Sequence, residues 1–217
     1  MKTFKLLVLS TILVTGMISK SFAGASDFDG FYVGVQGSAV GAEVDGKFTD
    51  GNGEVSKGTA GAVSPSAGIE AGYSMSIDDT MFITLEVSYN PLDADFKADE
   101  ASDNNDVTIS LEDIMSVSLE PSFSTSENSA IYFKIGYSEF DLAASGAGLD
   151  ANQSFTLEGT TIGFGSKTLH DSGIYVKTEA GVTEYDSFKL INVGDDDGTV
   201  NADPTFAYGK VSVGFQF

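Results

Sequence analysis

At 217 residues and 41 % hydrophobic content, the chain has the length of one domain and enough apolar surface for a core. Its 32 acidic against 11 basic residues give a net charge of −21. With so few basic residues, all of them lysine, against this acidic excess, the composition argues against a basic phosphate-binding face and with it a nucleic-acid partner. The absence of cysteine excludes a disulfide framework, thiol catalysis and thiolate metal sites.

The first element in chain order is a targeting segment. Lys2 and Lys5 precede an apolar run over 6–18, and Ser21-Phe22-Ala23 reads as a small-x-small cleavage site. The run is shorter than the roughly 20 residues a membrane helix needs. Residues 1–23 are therefore expected to be a signal peptide, with an uncleaved anchor as the alternative, and 24–217 the mature domain. No later apolar run has the length of a membrane helix, so a mature chain inside a bilayer has to cross it as a barrel.

Eight strands follow, each read from period-two alternation. The first, 31–44, sets Phe31, Val33, Val35 and Ala39 against Tyr32, Gly34, Gln36 and Ser38. A Gly- and Asp-rich segment, 45–61, leads to the second strand, 62–75, with Val63, Ile69, Tyr73 and Met75 opposite Ser66, Glu70 and Ser74. A short turn, 76–80, carries Asp78-Asp79. The third strand, 81–90, alternates without a break: Met81, Ile83, Leu85, Val87 and Tyr89 against Phe82, Thr84, Glu86 and Ser88. After an acidic segment, 91–106, the fourth lies within 107–123, with Leu111, Met115, Val117, Leu119 and Phe123 opposite Ser110, Glu112, Ser116, Ser118 and Glu120.

A short turn at 124–129 precedes the fifth strand, where Ile131, Phe133, Ile135 and Tyr137 oppose Tyr132, Lys134, Gly136 and Ser138. A long segment, 141–160, separates it from the sixth, 161–168, which sets Ile162 and Phe164 against Gly163, Gly165 and Lys167. Past a turn at 169–173, the seventh puts Ile174, Val176, Ala180 and Val182 opposite Tyr175, Lys177, Glu179 and Thr183. A last long segment, 185–204, leads to the eighth strand, 205–217, with Val211, Val213, Phe215 and Phe217 opposite Ser212, Gly214 and Gln216.

The connections alternate long and short, as in outer-membrane barrels with short periplasmic turns and long external loops. The charges follow the alternation too. Glu70, Glu86, Glu112, Glu120, Lys134, Lys167, Lys177, Glu179 and Lys210 all fall on polar faces; only Asp113, Glu139 and Glu184 fall on apolar ones, near strand ends. With the polar face turned inward, the nine would form a barrel-interior charge network and the three acids an outer rim. The expected fold is all-β, an eight-stranded antiparallel up-and-down transmembrane β-barrel, whose interior is just wide enough for side chains to fill. A soluble periplasmic lipid-binding barrel, apolar face inward, shows the same alternation and stands as an alternative. The many Gly, Ser and Thr residues of the polar face favour a narrow, filled interior.

The chain resembles the small eight-stranded outer-membrane barrels of the OmpA-like and opacity-protein type. Asp29-Gly30-Phe31-Tyr32-Val33-Gly34-Val35 and Val213-Gly214-Phe215-Gln216-Phe217 carry the resemblance. It implies a bacterial outer-membrane protein whose Phe215 and Phe217 are read by the outer-membrane assembly machinery. The resemblance to full-length OmpA is confined to the barrel, so no peptidoglycan-binding domain and no cell-wall tether are expected. The expected function is a non-enzymatic structural or porin-like barrel with acidic external loops. A loop-mediated adhesin is the alternative, although the loops lack the aromatic and Arg residues of binding hot spots. Expected partners are outer-membrane lipid, lipopolysaccharide and the assembly machinery, with the chain a monomer.

Three motifs read as bland. The lone histidine, His170, sits beside Asp171 and Ser172 in a turn, and adjacent turn residues do not converge on one reacting atom. Asp50-Gly51-Asn52-Gly53-Glu54 and Asp195-Asp196-Asp197-Gly198 are acidic loops; the first lacks the Gly and distal Glu of a calcium loop. Gly163-Phe164-Gly165 has no helix after it, so it is no phosphate loop. No cofactor, metal or catalytic residue is expected.

Overall fold

The computed structural model describes residues 24–91, 94–98, 107–146, 153–193 and 198–217. A single 3-10 turn, Ala25–Phe28, precedes ten strands: β1 Gly30–Thr49, β2 Val55–Ser76, β3 Met81–Asn90, β4 Ala94–Ala98, β5 Val107–Ser126, β6 Ser129–Gly146, β7 Gln153–Leu169, β8 Ile174–Tyr185, β9 Phe188–Val193 and β10 Gly198–Gln216. All pairings are antiparallel. β1 pairs β10 from Tyr32↔Gln216 to Thr49↔Thr199, which closes the sheet on itself. Among the described residues no helix is long and apolar enough to cross a membrane.

Ten strands make eight staves. β4 meets β5 at Ala94↔Leu111, just beyond the point where β3 meets it at Asn90↔Ile114, so β4 continues β3 past Pro91. β9 continues β8 in the same way: Thr205 of β10 faces Glu184, and Ala202 faces Phe188. The expected eight-stranded up-and-down barrel is the observed architecture.

The staves are longer than the sequence suggests. Three of the segments read as long loops, 45–61, 141–160 and 185–204, are mostly strand, and between β1 and β2 only a five-residue stretch at Asp50–Glu54 is turn. The reason is a reversal of polarity partway along β1, β6, β7 and β10. In β6 the outward side chains run Ile131, Phe133, Ile135, Tyr137 and then Glu139, while the inward ones run Tyr132, Lys134, Ser138 and then Phe140, Leu142 and Ala144. The apolar positions jump from odd to even numbers with no break in the ladder. Read by alternation alone, that jump looks like a strand end.

The same reversal in β1, β7 and β10 builds an apolar core inside the long-hairpin end from Ala42, Phe140, Leu142, Leu157, Ala202 and Phe206, with Phe188 and Leu190 of β9. There the wall divides. β2 is paired to β3 only over Ile69–Ser76 but to β1 as far as Val55, and β8 leaves β7 at Tyr185. Two four-stranded sheets, β2-β1-β10-β9 and β4-β5-β6-β7, face each other across this core. Between β7 and β9 a side chain stands in for a strand: Gln153 Nε2 donates to the Ile191 carbonyl at 2.8 Å and its Oε1 accepts from the Ile191 N–H at 3.3 Å.

Candidate functional site

The interior is filled at three levels. At the short-turn end, the 3-10 turn tucks Phe28 into the barrel mouth, where its ring stacks on Phe82 at 4.8 Å beside Ala25 and Ala130. Asp29 fixes the entry by accepting from the Ser76 N–H and hydroxyl. At the far end lies the apolar core. Between them is a network of lysines and glutamates contributed by strands all round the barrel.

Lys134 is its hub. Its ammonium lies 2.9 Å from Glu86, 3.3 Å from Glu120 and 2.9 Å from Glu179. Lys177, with no exposed surface, pairs with Glu86 and with Glu120 at 3.1 Å. Lys210 spans Glu70 at 3.3 Å, Glu86 at 3.4 Å and Glu179 at 3.5 Å. Strand geometry explains the convergence: each of these residues is an inward position of its stave, and the stagger of the barrel brings them to one depth. Carboxylate oxygens of Glu86, Glu120 and Glu179 lie within 4.8 Å of one another, a spacing that could hold a metal ion. The Lys134 ammonium takes the cation's place there.

Buried charge of this density needs its remaining lone pairs satisfied. Four tyrosines and a serine do so: Tyr32 donates to Glu86 at 2.6 Å, Tyr132 and Tyr208 to Glu179 at 2.8 Å, Tyr175 to Glu70 at 2.9 Å and Ser212 to Glu70 at 2.8 Å. Sequence reasoning put three of these rings on the polar face without assigning them a role; a hydroxyl-bearing aromatic among inward charges was the available signal. Their bulk is accommodated by glycine on the neighbouring stave. A Cβ at Gly72 would fall 2.5 Å from Tyr32 Cζ, and one at Gly165 the same distance from Tyr132 Cζ.

Two residues expected in the network stand apart. Lys167 faces Lys177 directly across the β7–β8 ladder, and like charges so placed repel. Its ammonium instead donates to Gln216 Oε1 at 2.7 Å and lies over the rings of Tyr32 and Tyr175, 4.3 and 5.0 Å from their centroids. Glu112, of which only the backbone is described, pairs with Asp141 eight residues outward of Glu120 on the same strand. At about 3.3 Å per residue that is roughly 25 Å away, beyond the network's reach.

Phe31 and Phe217 both point outward, 67 % and 74 % exposed, and are joined by a hydrogen bond from the Phe217 N–H to the Phe31 carbonyl at 2.8 Å. With Tyr73 and Phe215 they form an aromatic band at the short-turn end. Asp113, Glu139 and Glu184 all face outward on the long-hairpin side. His170, Asp171 and Ser172 are exposed in the β7–β8 turn. Asp50 Oδ1 is engaged within its own hairpin by the N–H groups of Asn52 and Glu54. Asp195, Asp196 and Asp197 lie outside the described residues.

The family model described as outer membrane protein beta-barrel domain matches residues 9–217. Similar solved structures include Ail, the attachment invasion locus protein of Yersinia pestis, at 15 % identity and TM-score 0.42, covering 84 % of this chain and 98 % of that one. Neisserial surface protein A follows at 13 % identity and TM-score 0.40, covering 86 % and 97 %. The outer membrane protease OmpT of Escherichia coli has 7 % identity and TM-score 0.48, covering 92 % and 99 %. No curated protein matches the chain.

Proposed function

The chain belongs to the outer-membrane β-barrel domain family, as a transmembrane protein of the bacterial outer membrane, and from that premise we propose that it is a non-enzymatic anchor whose barrel carries a rigid acidic sheet platform to the cell surface and does not conduct ions. The observation that carries this reading is the three-level filling of the interior by Phe28, the lysine–glutamate network and the apolar core. A pore would need a continuous polar lumen, and the described side chains supply none. Conductance of the protein in a planar bilayer tests it: the expected trace stays at background. Stable open steps would overturn the anchor reading in favour of a porin.

The exposed His170 turn sits at the periplasmic end, away from the outer leaflet, which favours the non-enzymatic reading. The soluble lipid-binding alternative fails because the buried side of the mid-barrel is charged and its exposed side is apolar. A surface-recognition role is the second reading, favoured by the way both sheets project beyond Glu139 and Glu184. In that frame residues 1–23 serve as a cleaved signal, Phe215 and Phe217 as the group read by the assembly machinery, and lipid and lipopolysaccharide as the surroundings of a monomer.

A further inference from the structure

The lysines outside the barrel are not scattered. Of the 11 in the chain, Lys2, Lys5 and Lys20 belong to the expected signal, and Lys134, Lys167, Lys177 and Lys210 are buried in the interior. Lys97 lies in β4, of which only the backbone is described. The other three, Lys47, Lys57 and Lys189, are exposed and fall in one row. Lys57 of β2 faces Lys47 of β1, Lys47 faces Asn201 of β10, and Asn201 faces Lys189 of β9. Phe188, Leu190 and Ala202, the neighbours of Lys189 and Asn201 along their strands, are buried in the core, so the row lies on the outward face of its sheet. It crosses all four strands, three spacings of about 4.8 Å or roughly 14 Å.

Lys47 and Lys57 stand directly opposite each other, an arrangement that is unfavourable without a counter-charge. Among the described residues none of the three ammonium groups pairs with a carboxylate. The next outward row toward the membrane has the opposite sign: Asp45 faces Asp203, and Thr59 donates to Asp45 Oδ1 at 2.7 Å. Register gives the height. Asn201 is four residues beyond Thr205, the partner of Glu184. At about 3.3 Å per residue and a tilt of about 40°, the lysines stand roughly 10 Å above Glu184. That is headgroup depth, and the lysines face sideways into it. A phosphorylated sugar headgroup matches both rows, because its phosphates answer the lysines and its hydroxyl and amide groups donate to the aspartates.

We propose that the row Lys57–Lys47–Lys189 binds the phosphates of one phosphorylated glycolipid of the outer leaflet, with the sugar donors of that lipid on Asp45 and Asp203. The site rests on the outer-membrane reading but not on whether the interior conducts, so its failure leaves the anchor reading to the bilayer experiment. The test is native mass spectrometry of the detergent-extracted protein after incubation with bisphosphorylated lipid A, its dephosphorylated form or phosphatidylglycerol. The expected result is retention of one bisphosphorylated lipid A, well above the other two. Lys47→Gln combined with Lys189→Gln should lower that retention several-fold with the barrel still folded, since both side chains are exposed, and Lys47→Arg should keep it. Equal retention of the dephosphorylated lipid or of phosphatidylglycerol, or undiminished retention by the double variant, would overturn the proposal. So would displacement of the lipid by equimolar inorganic tripolyphosphate, because the row would then take a soluble anion.

Discussion

Lys177 shows what one inward side chain does for this barrel. It bridges Glu86 and Glu120 and lies 4.9 Å from the Tyr132 ring centroid, with no exposed surface. Lys177→Ala removes one of the network's three ammonium groups and leaves Glu86 and Glu120 to share Lys134 and Lys210 with two further glutamates; breaking a buried ion pair in this way costs about 3–5 kcal/mol. The urea midpoint of the folded protein in detergent should fall accordingly, while the exposed Lys57→Ala should leave it unchanged. That the inward charges share the interior was legible from alternation. Which pairs meet was not, because stagger decides it: Lys210 and Glu70 are 140 residues apart in the chain. Nor was the exclusion of Lys167, since the β7–β8 register that sets it against Lys177 is fixed by turn geometry.

At the periplasmic turn between β2 and β3, Asp78 accepts from the N–H groups of Thr80 and Met81, and these bonds hold its carboxyl below the ordinary carboxylate range. A depressed folded pKa means stability that is present above the unfolded value of about 3.9 and lost as pH falls through the folded value. Asp78→Asn should therefore lower the melting temperature at pH 6, and the two proteins should converge once the pH has fallen well below the ordinary aspartate range. A gap that persists unchanged under such acid would show that the turn is held without the charge.

β6 displays at the scale of one element how a strand serves two solvents. Below Ser138 its outward face is apolar and its inward face polar; above it the inward face carries Phe140 and Leu142 and the outward face Glu139 and Asp141. Phe140 packs edge-on to Tyr185 at 4.6 Å and against Phe206 at 5.4 Å. Phe140→Ala should cost about 3–5 kcal/mol, and the loss should be local because the ion network lies in a different layer. Limited proteolysis is expected to cut β6 within 141–146 while the membrane-embedded part stays intact. Sequence reading saw only the lower half of this strand. The upper half is a standard inward-apolar pattern whose phase had changed, and Glu139, Asp141, Ala143 and Ser145 at its outward positions looked like loop. β7 was shortened to 161–168 for the same reason, although it begins at Gln153.

For the molecule as a whole, topology was the most legible property. The alternation of short and long connections and the aromatic first and last strands fixed eight staves, and closure followed from the need to leave no edge in lipid. The division of the outer part into two sheets was hidden, because it depends on where β3 and β8 break, at Pro91 and at Asp186-Ser187, and on β4 and β9 resuming along one neighbour only.

The reversal of strand polarity also makes each stave a depth gauge. On β8 the outward apolar run from Ile174 to Val182 is bounded above by Glu184; eight steps at about 3.3 Å, tilted by about 40°, rise only roughly 20 Å. Sliding the barrel inward would drag Glu139 and Glu184 into hydrocarbon, and sliding it outward would lift Tyr137 and Val182 out of it. The protein is thereby matched to a thin bilayer, and hydrophobic mismatch should govern its stability. Reconstituted in phosphatidylcholines of increasing chain length, it should melt highest in the shortest that forms a bilayer and progressively lower in longer ones; a melting temperature that rises with thickness would refute the match. A chain with this gauge is sorted by membrane thickness as well as by its export signal.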